Sequence, residues 1–191
     1  MPLPHHGVEV WACNNPFDAY KYYADVLNTY TRWFNLHSRA HMDTAYPRGL
    51  AWHLGQSGER PFYTQRHWDD IPGSLAFPRT AIEQAFPEAG RFYTFTGAWL
   101  TALAIHEGFD RIEFHGFMLK DKKAREHDCY KFERPCFWYW VNTARKRGID
   151  VWYPPEVVAI ANEPGDPSTY TGPLYGYETK PELIEDLHNG I

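Results

Sequence analysis

The sequence predicts an α/β fold with a mostly parallel sheet and helices on both of its faces. Two stretches carry that expectation. Residues 94–107 read as a helix of small residues, stopped at Gly108 and followed by a buried strand that ends in His115-Gly116. Residues 135–152 repeat the pattern: Pro135 suits a first helical turn, Arg145-Lys146-Arg147 a negative helix end, Gly148 a stop, and Ile149–Trp152 a strand. Helix then strand with short links implies crossover units, in which strand C-terminal ends and helix N-termini share one edge.

The remaining elements follow in chain order. Val8–Cys13 alternates and is rich in β-formers, so it reads as a strand closed by Asn14-Asn15-Pro16. Thr31–His37 is a second strand, with Trp33 and the residues two apart on one face. Tyr46–Leu54 has a proline at its start and Gly55 at its end, which predicts a short helix. Pro61–Gln65 is a third strand, Ile71-Pro72-Gly73 a turn, and Arg79–Phe86 a helix. Within the 94–107 helix, Thr94 and Thr96 are the expected caps, and Gly97, Thr101, Ala104 and Gly108 form a small-residue stripe for close packing on a sheet. In the later helix Cys136, Tyr139, Trp140, Thr143 and Ala144 share one face. Asn162–Lys180 is loop-like, and Thr179 with Glu182 forms a capping-box pattern ahead of a short helix, Pro181–His188. The expected organisation is one Rossmann-like domain over residues 1–161, with residues 162–191 a loop-rich tail packed on it.

Bulk composition narrows the function classes. A chain of 191 residues with 43% hydrophobic and 23% charged residues is globular rather than disordered. Its net charge of −5 argues against an extended nucleic-acid surface, although a small basic pocket remains compatible with it. Aromatics reach 17%, enough both to fill a core and to offer rings for stacking. The three cysteines, Cys13, Cys129 and Cys136, fit neither a disulfide framework nor a zinc knuckle. No signal peptide is recognisable and no apolar run approaches the ~20 residues of a membrane span, so the expected setting is the cytoplasm, away from membranes.

The polar residues predicted at the shared edge form the candidate site. Asn14 and Asn15 follow the first strand, His37 and Arg39 the second, and Gln65, Arg66 and His67 the third. Thr94 and Thr96 open the small-residue helix, His115 ends its following strand, and Glu133 and Arg134 precede Pro135. Each alone is explained by a cap, a turn or a solvated loop; their recurrence at strand ends points to a ligand. Arg39, Arg66 and Arg134 can hold phosphate or carboxylate in a planar fork, and free helical N–H groups suit an anion. Asn14 and Asn15 can read a base edge or sugar hydroxyls. His37, His67 and His115 are the proton-transfer candidates, His37 and His115 ranked first, with Glu133 a weaker one.

Metal chemistry is less favoured. His37 and His41 have an H-x-x-x-H spacing but leave a predicted strand, with Arg39 between them. Asp69-Asp70 suits a turn as well as a nucleotide-borne cation. No metal and no cofactor is assigned. Lys120–His127 reads as a solvated loop or a flap, and Tyr175-Gly176-Tyr177 as a lid over the strand edge, a docking strip for a second subunit, or a wrap without function.

Asn14-Asn15, Arg32–His37, Phe95-Thr-Gly-Ala98, Ile112–Gly116, Arg134-Pro-Cys136 and Leu174–Glu178 together resemble a group of uncharacterised phage-type proteins. More distantly, the chain resembles the Rossmann-like superfamily of MptE-like pterin diphosphokinases, motility accessory factors and small bacterial sialyltransferases. That resemblance implies a nucleotide or nucleotide-sugar ligand at the strand edge and transfer chemistry. It also implies a strand and a glycine-rich loop before Val8, where this sequence has only Met1–Gly7.

The function expected is transfer of a glycosyl or phosphoryl group from a nucleotide or nucleotide-sugar to a small acceptor, with Tyr175 and Tyr177 completing the binding set. The alternatives are a non-catalytic protein that captures a nucleotide-like metabolite or signal by stacking on Trp99, Trp138 and Tyr175, and an interaction module that pairs as a homodimer or with another protein.

Overall fold

The structure, a computed structural model, describes residues 7–15, 26–56, 58–116, 132–155 and 164–178. Every strand pairing among them is parallel, and helices separate most of the strands, so the α/β class is the one observed. The chain divides into two compact units: Gly7–Pro78 together with the segment from Pro173 onward, and Arg79–Gly172. The terminal helix expected at Pro181–His188 and the segment Lys120–His127 lie outside the described residues.

The first unit contains a four-stranded sheet in sequential order, β1 (Trp11–Cys13), β2 (Arg32–Phe34), β3 (Phe62–Thr64) and β4 (Ser74–Ala76). Trp33 of β2 pairs with Ala12 and Phe62, and Tyr63 with Leu75, so register is continuous across the sheet. Helix α1 (Val26–Thr29) precedes β2, while α2 (Arg39–Ala45) and α3 (Pro47–Leu54) join β2 to β3. Alternation along β2 separates two aromatic layers. Trp33 packs with Tyr30, Met42, Leu50, Phe62, Trp68 and Ile71, with Trp52 at the margin. Phe34, fully buried, instead stacks on Tyr63 at 4.8 Å and meets Trp11 at 5.1 Å.

Two elements of this unit differ from expectation. The Ile71-Pro72-Gly73 turn is present, but Ser74–Ala76 after it is a strand, with the Ser74 hydroxyl 3.4 Å from that of Thr64. The Ser74 hydroxyl accepts from the Trp68 N–H at 3.0 Å, which folds residues 65–73 into a parallel connection with no helix. The residues that follow His37 also form a helix, on which the His37–His41 spacing is not expected to lie. Ser38 caps α2 by accepting from the His41 N–H at 3.2 Å, so His41 lies on a helix.

The second unit holds α4 (Arg79–Ala85), α5 (Thr96–Glu107), β5 (Arg111–Glu113), α6 (Glu133–Lys146) and β6 (Asp150–Trp152), the strands forming a two-stranded parallel sheet. Helix α5 is buried along almost its whole length, from Thr96 to Ile105, and packs against α6. Its stop at Gly108 is as predicted: φ of 83° places the residue in the left-handed region, and its N–H bonds back to Ala104. The expected threonine caps are not found. Phe95 occupies the N-cap position without a side-chain bond, and the Thr94 hydroxyl donates instead to the Phe132 carbonyl at 3.2 Å. Cys136 and Trp140 of α6 both donate to the Phe92 carbonyl, at 3.1 and 3.0 Å. Burial pushes the Cys136 thiol up to about 12, so it stays protonated. Among the described residues no helix is long and apolar enough to cross a membrane.

Candidate functional site

The residues predicted for the site fall into both units. Asn14, Asn15, His37, Arg39, Gln65, Arg66, His67, Tyr175 and Tyr177 belong to the unit with the four-stranded sheet. Thr94, Thr96, His115, Glu133 and Arg134 belong to the other.

In the first unit the C-terminal end of β2 gathers the strongest arrangement. Asn35 is 1% exposed and its N–H is held by the Tyr63 carbonyl at 2.9 Å. Its side-chain Oδ1 takes two bonds, from the His37 backbone N–H at 3.2 Å and from His37 Nδ1 at 2.8 Å. A backbone N–H can only donate, so the atom receiving both is the amide oxygen, and His37 Nδ1 must carry its proton. Nε2 is therefore the bare nitrogen, and it faces the Tyr175 hydroxyl at 2.9 Å. The phenol donates to the imidazole, and the imidazole donates to the amide.

The ring is held from other sides as well. His41 stacks on it at 4.5 Å, Tyr46 lies at 5.5 Å, and Tyr175 meets it edge-on at 5.6 Å. Burial first, and the neighbouring His41 second, lower the His37 pKa to about 4. At neutral pH the ring is thus uncharged, and Nε2 is left as a hydrogen-bond acceptor.

Tyr175 arrives from far along the chain because the segment around it is shaped to fit. Leu174 is 2% exposed, and its carbonyl accepts from the N–H groups of Tyr177 and Glu178 at 3.1 and 2.9 Å. Gly176, at φ of 82°, lies against the end of β2 so closely that a Cβ would sit 2.4 Å from the Leu36 carbonyl oxygen. The same carbonyl accepts from Gln65 Nε2 at 3.0 Å, which ties the end of β3 to this point. His37, Gln65 and Tyr175 are thereby brought together.

The other predicted residues of this unit have different surroundings. Arg39 forms a bidentate pair with Asp70, at 2.8 and 2.9 Å, reaches Asp43 at 3.2 Å, and lies over Trp68. Its guanidinium holds the Asp70 carboxyl below the usual range. Arg66, next to Gln65, is exposed and makes no ion pair with the described residues. His67 contacts the Ser74 carbonyl at 2.7 Å and Asp69 at 3.1 Å. Asn14 has a structural part: its φ is 62°, its N–H donates to the Phe34 carbonyl, and its own carbonyl accepts from Trp33 Nε1 at 3.0 Å. Asn15 is half-buried beside it.

In the second unit His115 is exposed, two residues beyond β5, with Nε2 3.0 Å from Glu113 Oε2 and its ring over Trp152. That contact, ahead of the one from Arg111, lowers the Glu113 pKa. Thr96 is buried at 3%, and Glu133 and Arg134 open α6. Trp99 and Trp138, expected as stacking platforms, are 0% and 3% exposed and serve as core instead; Trp99 stacks on Tyr93 at 3.8 Å.

Sequence reading did not find Asn35 as the residue that orients His37. A signal was available: Asn two positions before His suits an Asx turn, in which the side chain takes the N–H two residues on. A groove of about 260 Å³, lined by Leu27, Tyr30, Gln56 and Arg60 among others, and one of about 370 Å³ beside Asn142, Thr143 and Lys146 do not include His37. Among the described residues no cluster of three or more His, Cys, Asp or Glu side chains is placed to hold a metal ion. Comparison with family models, curated proteins and solved structures returns no match.

Proposed function

We propose that this chain is a nucleotide- or nucleotide-sugar-dependent transferase, moving a glycosyl or phosphoryl group to a small acceptor, with His37 as general base. One observation carries the reading: a neutral imidazole at a strand C-terminal end, fixed in one tautomer by Asn35, presents bare Nε2 to a hydroxyl at 2.9 Å. That is the base-and-orienter pairing on which hydroxyl activation depends, and strand ends are where α/β sheets place it. An acceptor hydroxyl bonded at Nε2 loses its proton to His37 as its oxygen attacks. Arg66, exposed beside Gln65, is the cation available to a donor phosphate, whereas Arg39 must first exchange Asp70.

The second reading, ligand capture without turnover, is favoured by the closed Arg39–Asp70 fork and by the weak basicity of His37. Calorimetric titration with nucleotides and nucleotide-sugars, with and without magnesium, followed by product analysis, separates the two. Transfer is expected with saturable heat for one donor class and turnover reduced about a hundredfold in His37→Gln. Tight binding without product supports capture, and no heat from any donor removes both readings.

A further inference from the structure

We propose that Tyr175 is itself an acceptor, so that the protein carries a covalently linked phosphoryl or nucleotidyl group on the Tyr175 phenol oxygen during its cycle. This rests on the transferase reading and adds a nucleophile to it. The phenol is the hydroxyl that the fold delivers to His37. Its Oη lies 2.9 Å from the one imidazole nitrogen that has no proton, and that nitrogen's partner across the ring is engaged with Asn35 at 2.8 Å. Nucleophile to base and base to orienter are both within hydrogen-bond reach, the arrangement that activates serine and cysteine nucleophiles.

The delivery is specific. The turn from Leu174 to Glu178 closes on the Leu174 carbonyl, Leu174 is buried, and Gly176 sits where no other residue's Cβ would fit against Leu36. Tyr175 is half-buried rather than enclosed in the core. Arg66, one residue beyond the Gln65 that bonds Leu36, is placed at the same strand edge.

The step balances without a redox partner. The donor is a nucleoside triphosphate. The Tyr175 Oη attacks phosphorus and forms a P–O bond, while the bond to the leaving group breaks. Pyrophosphate departs if attack is at the α-phosphorus, and nucleoside diphosphate if at the γ-phosphorus. The phenolic proton passes to His37 Nε2 as the new bond forms, when the oxygen is most acidic, and the imidazolium then releases it to solvent. The geometry supplies the acceptor for that proton: Nε2 is the nitrogen without one, and it lies 2.9 Å from the phenol oxygen.

The test is to incubate the full chain with each of the four ribonucleoside triphosphates and magnesium and to locate any adduct by peptide mass spectrometry. The expected result is one adduct, on Tyr175, with a nucleotidyl or a phosphoryl mass that reports which phosphorus is attacked. It is absent in Tyr175→Phe, which keeps the ring packing, and falls about a hundredfold in His37→Gln. Unchanged thermal unfolding of both variants excludes misfolding as the cause. If a triphosphate binds and is consumed with a small acceptor while Tyr175 stays unmodified and Tyr175→Phe turns over normally, this proposal is overturned and the transferase reading stands. If no triphosphate or nucleotide-sugar binds, both fall together.

Discussion

His37 and His53 set the behaviour of this protein in acid. His53 is 2% exposed, stacked on Phe62 at 3.8 Å between Trp33 and Trp52, and its Nε2 has no hydrogen-bond partner among the described residues. Burial lowers its pKa to about 3, as burial and then His41 lower that of His37 to about 4, both from an ordinary 6.5. Above pH 6.5 neither folded nor unfolded chain binds the extra protons, so the two groups contribute nothing to pH dependence. Below it the unfolded chain is protonated first, and stability falls as pH falls, by about 1.4 kcal/mol per unit for each histidine until its folded pKa is reached. Urea unfolding at stepped pH is expected to show this loss beginning near pH 6.5. His53→Phe, which removes the unpaired nitrogen and keeps the stack, is expected to add about 1 kcal/mol at neutral pH and to remove one proton's share of the slope. An unchanged slope would contradict the buried, neutral state of His53.

At the scale of elements, two short features hold the site in place. Ser38 caps α2, and Ser38→Ala is expected to cost about 1 kcal/mol in denaturant unfolding. Gly176→Ala meets both a left-handed backbone and the Leu36 carbonyl, so the Tyr175 segment is expected to detach and become open to limited proteolysis while the sheet remains folded. Survival of the segment intact would show that the close approach is not needed. Much of this level is legible in the sequence: the strands around Trp11, Trp33 and Phe62 and the 94–107 helix sit within their expected ranges, because hydrophobic pattern, proline and glycine stops agree there, while the later helix starts two residues before Pro135, at Glu133. β4 is not legible, since Ser74-Leu75-Ala76 lacks β-branched residues and becomes a strand only by pairing with Phe62–Thr64. The threonines of 94–96 look like caps but are consumed by burial and by Phe132.

For the molecule as a whole, the partition into two units follows contacts distant in sequence, which no local pattern records. The boundary between Gly172 and Pro173 assigns Leu174 and Tyr175 to the unit of the four-stranded sheet. Ending the chain at Gly172 therefore removes a buried leucine from that unit, and an unfolding loss of about 2 kcal/mol is expected. The site was half legible for the same reason. His37 stands out as a strand-end histidine, but the phenol it meets lies 138 residues away, and only folding brings the two together.

Both the transfer reading and the covalent role of Tyr175 stand on the protonation of one ring, so the most direct measurement is imidazole-nitrogen NMR of His37 across pH. A neutral ring protonated at Nδ1, titrating near 4 and with an Nε2 resonance that moves in Tyr175→Phe, is the result expected. A ring that titrates near 6.5, or whose Nε2 does not respond to loss of the phenol, would contradict the relay.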